Sequence, residues 1–167
     1  MGKSKFAPRG IRNRNPLNIR RGKTPWFGEV DHIDVVDTKG ESGAARFYDK
    51  SFCQFSDVKY GYRAAFKLIK KYIEVYGCDT IRKIINRWAP PTENNTSNYV
   101  EHVCKWQCLD ADAKITTSNH NGLLRLVFGM TMVENGKEYD PNLNHVLYEG
   151  ILEGFGLAFG VKEVKNG

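Results

Sequence analysis

The stretch Asn121-Gly122-Leu123-Leu124-Arg125-Leu126-Val127-Phe128-Gly129-Met130-Thr131-Met132-Val133-Glu134 is apolar on nearly every side of a 3.6-residue helix. A helix of that composition is covered by neighbours on most faces, so the rest of the chain is expected to pack around it. Its last residue breaks the pattern. Glu134 lies four after Met130 and seven after Val127, which places a carboxyl on a stripe of apolar and small residues. It also stands in the last turn, before Asn135-Gly136, where the negative end of the helix dipole disfavours an anion by about 0.3–1 kcal/mol. Burial and dipole both raise the pKa of a carboxyl, as a general acid working near neutral pH requires. The competing reading is a frayed last turn with Glu134 an ordinary surface acid.

Outward from this helix the same periodicity finds others. Ser56 or Asp57 caps a helix with Val58, Tyr62, Ala65, Phe66, Ile69 and Ile73 inward and Gly77 at its end. Thr80 to Trp88 follows, closed by Ala89-Pro90-Pro91. Another starts near Asn95 or Thr96 and turns Tyr99, Val100 and Val103 inward, and a last runs from Asn142 to Phe155. Val30 to Val36 and Ala45 to Tyr48 flank a turn at residues 39–43 and read as a hairpin. Residues 1 to 28, rich in Gly, Pro, Asn and Arg, read mostly as loop. The expectation is a mainly α chain with a small β-hairpin: a basic N-terminal arm at residues 1–14, a single α+β domain at 15–160, and a tail at 161–167.

The 167 residues hold 25 Lys and Arg against 19 Asp and Glu, net +6, but the excess is uneven. Residues 1 to 28 contain eight basic side chains and no acid, whereas the remaining 139 carry 17 basic and 19 acidic groups. Such an arm suits a polyanion or an acidic partner. No apolar run is long enough for a membrane span, and the basic start lacks the apolar block of a secretory signal. Neither membrane association nor a signal peptide is expected. Cys53, Cys78, Cys104 and Cys108 do not follow zinc-ribbon or disulfide-framework spacing. Cys104 and Cys108 with His102 and His120 admit a metal site, but reduced thiols are the simpler expectation, and no metal or cofactor is expected.

Glu29, Asp31, Asp34, Asp37 and Glu41 cluster at the hairpin. Glycan cleavage commonly pairs an acid with a second carboxylate, although alternating acids are also what a half-exposed strand displays. Aromatic residues beside Arg and Asn suit sugar faces or bases. Trp26 is the strongest candidate because its segment is polar and turn-rich. Phosphate loops, nucleophile elbows and His-Glu-x-x-His helices do not occur.

The run Arg9-Gly10-Ile11-Arg12-Asn13-Arg14-Asn15-Pro16-Leu17-Asn18-Ile19-Arg20-Arg21, with Trp26-Phe27-Gly28, Phe52-Cys53-Gln54-Phe55, Tyr60-Gly61-Tyr62-Arg63-Ala64 and Arg87-Trp88-Ala89-Pro90-Pro91-Thr92-Glu93-Asn94-Asn95-Thr96, resembles a family of phage and prophage virion structural proteins. Val133-Glu134-Asn135-Gly136 is similar to that family's C-terminal part. Asn15-Pro16-Leu17-Asn18-Ile19 to Trp26-Phe27-Gly28, a hairpin, Ala45-Arg46-Phe47-Tyr48 and a Tyr- and Phe-rich helix also resemble the β-lobe of autolysin-type glucosaminidases of the lysozyme superfamily. In those enzymes the catalytic Glu ends a helix that precedes the β-lobe, whereas only about 14 turn-rich residues precede Asn15 here. Either catalysis is lost, or the order is circularly permuted and the equivalent helix is the one ending at Glu134.

These resemblances imply a lysozyme-like phage protein, in the virion or in the host cytoplasm before release, that binds the glycan strands of peptidoglycan and cleaves them as a muramidase, glucosaminidase or lytic transglycosylase. Glu134 is then the acid, Glu41 or Asp37 the second carboxylate, and Asn18, Trp26, Tyr60 and Asn95 the sugar contacts. The alternative is a non-enzymatic virion protein in contact with other virion proteins, its arm touching DNA or an acidic neighbour.

Overall fold

The computed structural model describes residues 7–36 and 42–161, the side chains of 34–36 and 42–47 excepted. It is mainly helical with small antiparallel two-stranded sheets. The order is α1 (Arg9–Arg12), β1 (Glu29–Val30), β2 (Ile33–Val36), β3 (Ser42–Phe47), β4 (Gln54–Phe55), α2 (Val58–Glu74), α3 (Ile81–Trp88), α4 (Thr96–Gln107), α5 (His120–Asn135) and α6 (His145–Phe159).

Side chains set the helix starts. Asp57 accepts a hydrogen bond from the Lys59 amide, Thr80 from Lys83, Asn95 from Asn98, Asn119 from Gly122 and Asn144 from Leu147. Inside, α5 buries Leu123, Leu126, Val127 and Met130 completely, as its all-round apolar sequence requires. Helices α2 and α6 lie along each other, with Gly150 against Val58 and Gly154 against Tyr62. Phe66, Phe155 and Phe159 meet edge-on or tilted in the same layer. Tyr62 is fully buried and bonds Thr131 of α5 at 3.0 Å, a polar rivet between α2 and α5.

Three expectations need correction. Residues 7–28 are mostly loop as expected, but Arg9–Arg12 makes one helical turn and Gly10 and Asn13 are buried, so residues 9–14 are packed on the body and are not a free arm. The run Val30 to Val36 is two strands. Val30 pairs with Gln54 while Ile33 pairs with Phe47, the chain changing partners at Asp31-His32. The last helix starts later and runs four residues farther than expected, to Phe159, after a 3-10 turn at Pro141–Leu143 whose amide is capped by Asp140.

A buried polar network locks the N-terminal segment onto the sheets. Asn13 donates to Asp49 at 3.0 Å and accepts from Gln54, and Gln54 accepts from Arg21 at 3.0 Å. Arg21 pairs with Glu29 at 2.9 Å, with both side chains largely covered. Asn15 bridges the carbonyls of Ile19 and Cys53. The backbone of Arg14 and Asn15 presses against Gly61 of α2, where a β-carbon would collide with the Arg14 carbonyl.

Candidate functional site

The site begins where α5 ends. Glu134 is half-buried, and its two carboxylate oxygens have separate donors: Asn18 Nδ2 to Oε2 at 2.9 Å and Tyr99 Oη to Oε1 at 3.1 Å. Burial pushes its pKa above the ordinary glutamate range, and the two hydrogen bonds, which favour the anion, offset that only in part. Tyr99 is itself deep in the fold, and burial together with the Glu134 charge drives its phenol pKa well up.

The segment carrying Asn18 is held to the same helix end twice. Asn135 donates to the Pro16 carbonyl at 2.7 Å, next to the bond from Asn18. Asn18 takes a left-handed backbone, φ 52°, which asparagine tolerates better than most residues and which swings its amide toward Glu134. Gly10 closes the arrangement from behind. A β-carbon there would stand 2.6 Å from Asn135 Oδ1 and 3.1 Å from Asn18 Oδ1, two buried oxygens with no hydrogen-bond partner among the described residues.

Asn18 also lines a surface hollow of about 260 Å³ with Ile19, Arg20, Leu68, Tyr72 and Trp88. Tyr72 and Trp88 stand edge to face at 6.1 Å. Arg20 reaches Glu93 at 3.8 Å, linking the hollow to the loop between α3 and α4. The lining thus combines two partly exposed aromatic rings, an amide and a guanidinium, and through Asn18 it adjoins a carboxyl whose pKa burial raises.

Of the residues expected at the site, Asn18 and Glu134 come together. Trp26 packs against the core, and its amide donates to Glu29. Tyr60 stacks edge-on with exposed Phe27 at 5.3 Å and fills the space beside Gly28. Asn95 caps α4 and lines a different hollow, with Arg82, Asn86 and Asn94. Asp37 and Glu41 lie outside the described residues. Glu29, from the same acidic cluster, is committed to Arg21. His102 stacks on Trp106 and His120 packs on Phe155, so both imidazoles are engaged with rings. Tyr72, Trp88 and Tyr99 were legible only as inward-facing or unassigned helix positions; the one available signal was that each carries a polar atom on a helix bordering the core.

Aligned with known proteins, the chain is 31% identical over 156 residues to Protein P5 of Pseudoalteromonas phage PM2, a match that covers 92% of this chain and 83% of that protein. It belongs to the Protein P5 family. No protein-family model matches it. For this member of the Protein P5 family, a phage context is therefore established by sequence similarity, and no described helix is long and apolar enough to cross a membrane.

Proposed function

We propose that this chain is a virion-associated protein that binds peptidoglycan glycan strands at the Asn18 hollow and cleaves them with Glu134 as general acid. The observation that carries this reading is the Asn18 side chain, shared between the hollow and a half-buried carboxyl of raised pKa at the end of an apolar helix. Sugar rings present apolar faces and hydroxyl edges. Trp88 and Tyr72 suit the former, Asn18 and Arg20 the latter. The protonated Glu134 delivers its proton to the glycosidic oxygen, and the bond to the anomeric carbon breaks as positive charge builds on the ring.

A lytic transglycosylase needs this single acid, because an internal hydroxyl of the substrate serves as nucleophile and the carboxylate then accepts its proton. Hydrolysis would draw its second carboxylate from Asp37 or Glu41. The permuted lysozyme-like order is supported by the way α5, late in the chain, ends on the Asn15–Ile19 segment through the Asn18–Glu134 and Asn135–Pro16 bonds. Trp26, Tyr60 and Asn95 take no part in this reading, since each is engaged elsewhere.

The test is a peptidoglycan zymogram. Wild-type protein is expected to clear the gel and Glu134→Gln is not. Clearing by the variant would refute the assignment, and no clearing by folded wild type would favour a non-enzymatic virion component.

A further inference from the structure

The net charge of residues 29–167 is slightly negative, yet one helix within them departs sharply from that average. Helix α2 carries Lys59, Arg63, Lys67, Lys70 and Lys71 against a single acid, Glu74. With 3.6 residues per turn, positions i, i+4, i+8, i+11 and i+12 fall within about 120° of the helix circumference. The opposite side, with Tyr62, Ala65, Phe66 and Ile69, is in the core; on the basic side Lys71 is exposed and Lys59, Arg63, Lys67 and Lys70 are half-buried. Leu68 and Tyr72, which line the Asn18 hollow, lie on a third side.

The ridge is built on rings. Lys59 sits over Tyr60 at 5.3 Å, Arg63 over Phe27 at 5.3 Å, Lys70 over Phe159 at 5.9 Å and Lys71 over Tyr76 at 5.8 Å. Exposed Arg87 continues it from α3, also over Tyr76, at 3.5 Å. Among the described residues, only Lys59 of the five has a carboxylate in ion-pair range, Glu153 at 3.6 Å. Arg63, Lys70 and Lys71 are thus held by aromatic contacts, and together with Lys67 they have no carboxylate in ion-pair range among the described residues. Mutual repulsion makes this arrangement costly by itself, and a polyanion removes that cost.

We propose that the outer face of α2 docks on the phosphate backbone of double-stranded DNA. From Lys59 to Lys71 the axial rise is about 18 Å. One strand of a duplex presents a phosphate every 3.4 Å or so along its axis, about five over that length, and five cations face them. The aromatic rings along the ridge already carry cations, which disfavours the bare stacking platforms that unpaired bases use. The apolar side of α2 is committed to the core, so the helix itself offers a charged stripe and not an apolar one to a partner. The proposal is independent of the glycan reading and uses no residue of it.

Fluorescence anisotropy with a mixed-sequence 20-base-pair duplex, titrated from 50 to 200 mM NaCl, tests it. Five phosphate contacts give a slope of log K against log salt of about −4.5. Reversing Lys67, Lys70 and Lys71 to Glu is expected to remove at least about 2.7 of that slope and more than tenfold in affinity at 50 mM, with the circular dichroism spectrum and gel clearing unchanged. Lys3→Ala/Lys5→Ala is expected to leave binding within about twofold. Unaltered binding by the triple variant, no duplex binding by folded wild type at 50 mM NaCl, or tighter binding to phosphatidylglycerol vesicles than to the duplex would each overturn the proposal.

Discussion

Asn18 and Glu134, 116 positions apart in the chain, are joined by a 2.9 Å hydrogen bond that ties the N-terminal segment to the end of the central helix. Everything proposed for the site depends on this pairing. It places a groove-lining amide against an acid that burial keeps inclined to hold its proton.

Asn18 lowers the pKa of Glu134, so removing its side chain raises that pKa further. Asn18→Gly keeps the left-handed backbone without strain and deletes only the amide. We expect the alkaline limb of the pH–rate profile to move to higher pH, with a loss of about ten- to a hundredfold in rate from poorer positioning. A profile with an unmoved alkaline limb would separate Asn18 from the acid.

Glu134 also links stability to pH. Because its folded pKa is raised, the native state holds the proton more tightly than the unfolded chain does, and stability falls as pH rises from the ordinary glutamate range through the folded pKa. Glu134→Gln removes that dependence. The Tm of the variant relative to wild type should therefore rise from pH 4 to pH 8, as followed by thermal unfolding.

Asp49 behaves in the opposite sense. Burial alone would raise its pKa, but hydrogen bonds from Asn13 and the Phe52 and Ser51 amides, with Arg9 nearby, bring it below the usual aspartate range. Its contribution is complete above the unfolded aspartate pKa and is lost as pH falls through the lower, folded value. Asp49→Ala strands the buried Asn13 amide and should cost about 3 kcal/mol at pH 7. In urea unfolding the gap from wild type should narrow in acid.

Gly10→Ala drives a methyl into Asn135, Asn18 and the Asn15 carbonyl. We expect a loss of about 1–3 kcal/mol of stability together with reduced clearing. Gly22→Ala, with open space around it, should stay within about 0.5 kcal/mol of wild type.

Thiol labelling should discriminate among the cysteines. Burial, helped by the nearby Glu29 charge, pushes the Cys53 thiol up to about 12, while Cys108 is exposed. A maleimide is expected to modify Cys108 first and to leave Cys53 intact until the protein unfolds.

How much of this could be read from the sequence divides along physical lines. Helices α3 and α5 and the start of α4 were legible to within a residue or two, because Thr80, Asn95 and the apolar run from Leu123 act locally. Glu134 stood out for the same reason, as a charge on an apolar stripe. The one-turn helix at Arg9 and the split of Val30 to Val36 into two pairings were not legible. Both depend on distant partners: Asp49 and Gln54 for the first, Gln54 and Phe47 for the second. Tyr99 reads as a core residue from spacing alone, since nothing local reveals that its hydroxyl ends on Glu134. The walls of the hollow escaped because Tyr72, Trp88 and Asn18 come from three separate elements that only the tertiary fold assembles.

The central claim is that Glu134 protonates a glycosidic oxygen. Mass spectrometry of the soluble products from purified peptidoglycan, incubated in parallel with wild type and with folded Glu134→Gln, tests it most directly. The account predicts glycan-strand fragments with wild type and none with the variant. Equal fragment release by both proteins, or none from folded wild type, would contradict it.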